Sequence, residues 1–262
     1  MVASNIQLVI SPSPTSYFRQ TAIIQCLAFS HSSLSQWWSA SEKDITMNTV
    51  EDIPPLRIHV TERDHRHREL DPTSVVVTCL IDGVVVGCAY WQCPKSLWRS
   101  ETLMELLYRK AIKMKDKIED WVYPAGWHRP GKREEFHHAQ EEKMIEYLGE
   151  KGIENMWYLK ILCTSPDYQR KGIGAVLLDW GLHHARARGE MVYLEASEFG
   201  KGLYLKKGFK EIGRVVVGNG TIILPCMLWD PETEKQVITE QNNTTVSDLR
   251  VQEELAINAD VS

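Results

Sequence analysis

The stretch QRKGIGAVLLDWG, residues 169–181, sets two basic residues and two glycines at the start of an apolar run with helical spacing. Glycine costs about 1 kcal/mol against alanine inside a helix, so Gly172 and Gly174 mark either a tight turn or a close visitor. The first turn of a helix presents N–H groups without internal partners, at the positive end of the helix dipole. Where side chains are missing, phosphate oxygens reach those donors directly, and Arg170 and Lys171 add local positive charge. This spacing suits the holding of a pyrophosphate. The alternative is a strand-to-helix turn with a solvated basic pair.

Two other phosphate motifs are excluded. A Walker loop needs lysine and then serine or threonine after its second glycine, where Ala175 and Val176 stand. The dinucleotide fingerprint G-x-G-x-x-G needs a third glycine where Leu177 stands. What remains is Q-x-x-G-x-G, spelled by Gln169, Gly172 and Gly174.

The elements that must position this turn follow from periodicity. Ile6 to Ile10 predicts a strand, and Phe18, Ala22 and Cys26 a helix over 17–29. Residues 31–72 are polar and proline-broken, and their charge run TERDHRHREL reads as a solvated face; His65 and His67 lack the neighbours a metal site needs. SVVVTCLIDGVVVGCAYW predicts a hairpin turned at Asp82-Gly83. From about 94 to 150 the pattern is a helical insert, with Leu103, Leu106, Leu107, Ala111, Met114 and Ile118 on one apolar face and Phe136, Met144, Ile145 and Leu148 on another. Between them, WVYPAGWHRPG either packs or covers a substrate with Trp121 and Trp127. Trp157 to Thr164 predicts a strand ahead of the glycine turn, and a strand (MVYLE), a short helix and a last strand pair turned at Gly218-Asn219-Gly220 come after it. The expected architecture is one α/β domain, residues 1–230, on a mixed, mostly antiparallel sheet flanked by helices, with a polar acidic tail over 231–262.

Composition narrows the function classes. A net charge of -5 gives no global basic field, so a nucleic-acid partner is not expected. The six cysteines form no CxxC pair and read as buried free thiols, with neither a metal site nor a disulfide framework. The first residues lack the pattern of a signal peptide and no run reaches the roughly 18 apolar residues of a membrane span, which points to a cytoplasmic protein with no membrane partner.

The run MWYLKILCTSPDYQRKGIGAVLLDWGLHHARARG resembles the coenzyme A motif, here about residues 156–189, of the GNAT superfamily of acetyl-CoA-dependent N-acetyltransferases. VYLEASEFGKGLYLKKGFKEIG resembles the strand and helix that follow it, and the insert resembles fungal members of unassigned substrate. The resemblance implies acetyl-CoA as cosubstrate and an amine acceptor. It implies that the backbone of Leu162, Cys163 and Thr164 pairs with the pantetheine arm, and that amides from Gln169 through Arg170, Lys171, Gly172, Ile173 and Gly174 to Ala175 hold the pyrophosphate. Tyr204 in GLYLKKGF occupies the place of the family's general acid.

Acetyl transfer also needs a neutral amine, a polarised carbonyl and a proton for the leaving thiolate. A backbone N–H on Ile161 to Thr164 suits the polarisation. Histone-modifying relatives carry a glutamate where Tyr158 stands here, which weakens a protein-lysine reading and leaves Tyr158 as an acceptor-side residue. Glu195 is the candidate base; it equally suits binding a cationic substrate or capping the next helix. The expected reaction is acetylation of a small-molecule amine by direct attack in a ternary complex. The alternatives are a protein lysine or N-terminal acetyltransferase, or a coenzyme A binder without catalysis.

Overall fold

The computed structural model describes residues 5–39, 47–122 and 131–232. Residues 233–262, all but the first two of the tail expected over 231–262, and Trp127 lie outside the described residues. Seven strands form one sheet in the order β1-β2-β3-β4-β5-β7-β6. They are β1 (Ile6–Ile10), β2 (Ser74–Ile81), β3 (Val84–Gln92), β4 (Met156–Thr164), β5 (Met191–Glu195), β6 (Lys210–Val217) and β7 (Ile222–Trp229). Every pairing is antiparallel except β4 with β5. The helices are α1 (Ser16–Phe29), α2 (Ser33–Trp38), α3 (Pro55–Leu70), α4 (Leu103–Val122), α5 (Lys132–Glu154), α6 (Ile173–Arg188) and α7 (Lys201–Lys206). The expected mixed, mostly antiparallel sheet flanked by helices is the fold observed.

Local chemistry explains the elements nearest the site. Asp82 and Gly83 both take positive φ, 50° and 78°, as the type I′ turn between β2 and β3 requires. α6 buries Ile173, Leu177, Leu178, Leu182 and Ala185 at helical spacing and ends on Gly189 in the left-handed region. Strand alternation then sorts residues to two faces. Trp157, Leu159, Val192 and Leu194 join the core under α6 and α7. Tyr158 and Tyr193 join the opposite layer with Phe136 of α5.

Two expectations need correction. The charge run over 61–70 is not a solvated face: it lies on α3, where Arg63, His65 and Glu69 are buried. Their side chains find partners inside the fold. His65 Nδ1 meets the Tyr90 hydroxyl, and Glu69 accepts from the Ser13 backbone N–H at 3.2 Å. Second, the apolar face of α4 does not pack inward. Asp116 on its opposite face is buried instead, 2.7 Å from His67 Nε2, and Asp120 lies 2.7 Å from Arg63. Charge pairing with α3 fixes which side of α4 turns in.

Candidate active site

The parallel contact between β4 and β5 lasts only three pairs, from Met156 with Met191 to Tyr158 with Tyr193. Beyond Tyr158, β4 stays paired with β3 as far as Thr164, across a register shift near Tyr90 and Trp91. β5 meanwhile continues with β7, Glu195 facing Cys226. The two strands therefore part, and among the described residues the edge of β4 over 159–164 that faces β5 has no strand beside it. Backbone donors and acceptors on such an edge are free to pair with an extended ligand. Leu162, Cys163 and Thr164 form this edge, with the Cys163 side chain buried in the neighbouring core.

The glycine turn lies at the far end of the same edge. Arg170 has φ 60°, and Gly172, with φ 88°, is the residue before α6. Val176 N–H bonds back to the Gly172 carbonyl at 3.1 Å, while the N–H groups of Lys171 to Ala175 donate to no backbone carbonyl among the described residues. A Cβ on Gly174 would sit 3.4 Å from Leu203 and 3.8 Å from the Thr164 hydroxyl. The turn, the end of β4 and α7 thus meet at one point. Arg170 and Lys171 are exposed there, with Lys171 Nζ 5.0 Å from the Tyr168 ring centroid.

On the other face a cavity of about 860 Å³ opens between α1, α2, α3, α5 and the ends of β4 and β5. Tyr158 and Glu195 reach it together, because positions 158 and 193 are paired and 195 follows two residues on, facing the same side. The Tyr158 hydroxyl donates to Glu195 Oε2 at 2.8 Å. Gln140 Nε2 donates to the same oxygen at 2.9 Å and also reaches the Tyr158 hydroxyl. Glu195 Oε1 is buried with no hydrogen-bond partner among the described residues. Burial raises the Glu195 pKa, and the Tyr158, Tyr193 and Gln140 contacts partly oppose that rise. The carboxylate is thus more basic than an exposed glutamate and has one oxygen free.

Lys160 and Arg68 also line this cavity. Lys160 is exposed at the edge of the cavity; the desolvating protein around it and the like charge of Arg68 work to lower its pKa, against the pull of Asp71 and Glu195. Arg68 stacks on Tyr90 with its guanidinium carbon 4.5 Å from the ring centroid, and its Nη1 is buried without a partner among the described residues.

Tyr204 lies on the α6 side of the sheet. It is buried beside Phe209, ring centroids 5.7 Å apart, and burial alone pushes its phenol pKa up. The phenol therefore keeps its proton at neutral pH. Trp121 is not brought to the cavity: it is 84% exposed at the end of α4. Sequence reasoning missed Gln140, whose type and place on a polar helix gave no signal. It also missed Lys160 and Arg68, which read as ordinary surface charges.

Residues 118–228 match the family model described as an acetyltransferase (GNAT) domain. A search of curated proteins finds no match. Among solved structures, arylalkylamine N-acetyltransferase 2 from Aedes aegypti superposes with a TM-score of 0.55 at 14% identity, covering 87% of this chain and 100% of that one. A histone acetyltransferase HPA2 and related acetyltransferase from Corynebacterium glutamicum gives 0.49 at 16% identity, covering 86% and 96%. A polyamine N-acetyltransferase from Drosophila melanogaster gives 0.48 at 9% identity, covering 86% and 100%. Residues 118–228 thus match a GNAT acetyltransferase domain, and the fold of the chain is the one seen in the mosquito N-acetyltransferase.

Proposed function

We propose that the domain, taken as residues 1–230, moves an acetyl group from acetyl-CoA to a small-molecule amine, with Glu195 as general base and Tyr204 as general acid. The observation that carries this reading is Glu195, on the cavity lining, with Oε2 held by Tyr158 and Gln140 and Oε1 buried without a hydrogen-bond partner among the described residues. A base must be both positioned and basic enough to take a proton near neutral pH. Two donors fix the carboxylate, and burial raises its proton affinity.

The acceptor cavity and Tyr204 lie on opposite faces of the sheet, and this reading takes the thioester through the gap where β4 and β5 part. The residues along it fit acetyl-CoA: an unpaired strand edge over Leu162 to Thr164 for the pantetheine arm, then free amides up to Ala175 for the pyrophosphate. An amine seated in the cavity loses a proton to Glu195 Oε1 as its nitrogen bonds to the thioester carbonyl carbon. A β4 backbone N–H polarises that carbonyl. As the carbon–sulfur bond breaks, the Tyr204 phenol gives its proton to the departing sulfur, from the opposite side of the sheet. Tyr158 orients the base.

The cavity volume supports a small acceptor, since sites of this kind span about 300–1,000 Å³. The test is to incubate the full chain with acetyl-CoA and a panel of amines, peptides and alcohols, reading free thiol and acetylated product by mass spectrometry. Acetylation of small amines above the hydrolysis blank is expected. Acetylated peptides alone would favour the protein-directed alternative, and no product at all would leave a coenzyme binder.

A further inference from the structure

α4 presents its amphipathicity inside out. Its acidic face is spent on α3: Asp116 meets Arg66 and His67, Glu119 lies 2.6 Å from His59, and Asp120 meets Arg63. At 3.6 residues per turn, Leu103, Leu107, Met114, Ile118 and Trp121 fall on the opposite stripe. All five are exposed, Leu103 at 70% and Trp121 at 84%. A stripe this long spans most of a helix about 30 Å in length. Exposed apolar surface that is contiguous marks an interaction site.

The flanks of the stripe identify the partner. Lys110 and Lys117 run along one edge and Lys115 along the other; all three are exposed and make no ion pair among the described residues. An apolar stripe carrying tryptophan and bordered on both sides by lysine is the pattern of a helix lying in a lipid interface, with its ammonium groups level with the headgroups. Pairing with a second copy through the same stripe would bring these lysine edges together and place like charges opposite one another. No helix of the described residues is long and apolar enough to cross a membrane, so the contact is with a surface.

We propose that α4 seats this protein on an anionic lipid surface, with Leu107, Met114, Ile118 and Trp121 entering the interface and Lys110, Lys115 and Lys117 facing acidic headgroups. The acidic latch onto α3 then fixes the protein's orientation on the bilayer. This inference is independent of the acceptor and of the residues proposed for catalysis.

The test is co-sedimentation of the full chain with vesicles of phosphatidylcholine alone and of phosphatidylcholine with 30% phosphatidylserine. Partition into the mixed vesicles is expected, weak or absent on phosphatidylcholine and falling with added salt. The charge reversal Lys110→Glu with Lys117→Glu should cut partition roughly tenfold or more, each lysine near such a surface being worth about 1 kcal/mol. Leu107→Glu with Ile118→Glu should abolish it. Because these side chains are exposed, parent-like circular dichroism and melting are expected in both variants; a variant that misfolds is replaced by Met114→Gln, for which a several-fold loss is expected. Equal partition on both vesicle types, no partition of the parent, or a dimer by light scattering that Ile118→Glu dissolves would each overturn the proposal.

Discussion

The Tyr158 hydroxyl hydrogen-bonds Glu195 Oε2 at 2.8 Å, joining residues 37 apart in sequence across the last paired position of β4 and β5. This bond stands where the two strands begin to part. In the proposed chemistry the carboxylate comes from β5, and β4 contributes the tyrosine hydroxyl that orients it.

Burial of Glu195 has a cost that depends on pH. Its carboxyl pKa is raised in the folded protein, so the folded form retains a proton over a range where the unfolded chain has lost it. The stabilisation this brings is complete below the unfolded value, near about 4.3, and is lost as pH rises through the folded value. Glu195→Gln should therefore melt above the parent at neutral pH, and the gap should close below about pH 4. Calorimetry across that range checks it; a neutral-pH melting point below the parent's would show that the carboxylate is a net structural asset.

Tyr204→Phe keeps the ring against Phe209 and removes the proton donor. Turnover should fall by about 10² or more, the low end of what positioned proton transfer contributes, with acetyl-CoA binding retained. The loss should shrink with a more acidic leaving thiol. Single-turnover rates within about threefold of the parent would make Tyr204 a packing residue only.

The two glycines of the turn should separate. Gly172 adopts φ 88°, so Gly172→Val strains the backbone by about 1–3 kcal/mol and should lower the melting point by several degrees. A Cβ on Gly174 makes only ordinary contacts, so Gly174→Ala should fold as well as the parent. Its effect should fall on the acetyl-CoA Kd measured by calorimetry. An unchanged Kd would mean that no phosphate approaches this turn.

Trp121→Ala should leave acceptor preference as in the parent, since the side chain is exposed and away from the cavity. Ratios of kcat/KM across a panel of amines measure this directly. A changed ranking would bring α4 back to the acceptor site.

Local signals carried the sequence reading where the chemistry is local. Gly172 and Gly174 announced the turn because glycine is costly in a helix start, and Asp82-Gly83 announced the hairpin because few residues accept positive φ. Glu195 could be named as a candidate base from its place at the end of MVYLE, but its seat on the cavity beside Tyr158 comes from the β4–β5 register. The α3 charge run misled because burial of Arg63, His65 and Glu69 depends on partners far along the chain, Asp116 and Ser13 among them. The same holds for Gln140, whose role exists only because α5 folds over Tyr158 and Glu195. The apolar stripe of α4 was visible as a pattern, but periodicity does not say which face a neighbouring helix will take.

The most direct test of the proposed chemistry is the pH dependence of kcat/KM, by thiol release, in the parent and in Tyr158→Phe. The parent should lose activity on an acid limb set by Glu195. Removing the Tyr158 hydroxyl removes a bond that favours the carboxylate, so the limb should move to higher pH in the variant, and Glu195→Gln should lose the limb along with roughly 10² or more of the rate. Superimposable acid limbs in all three proteins would contradict a base at Glu195.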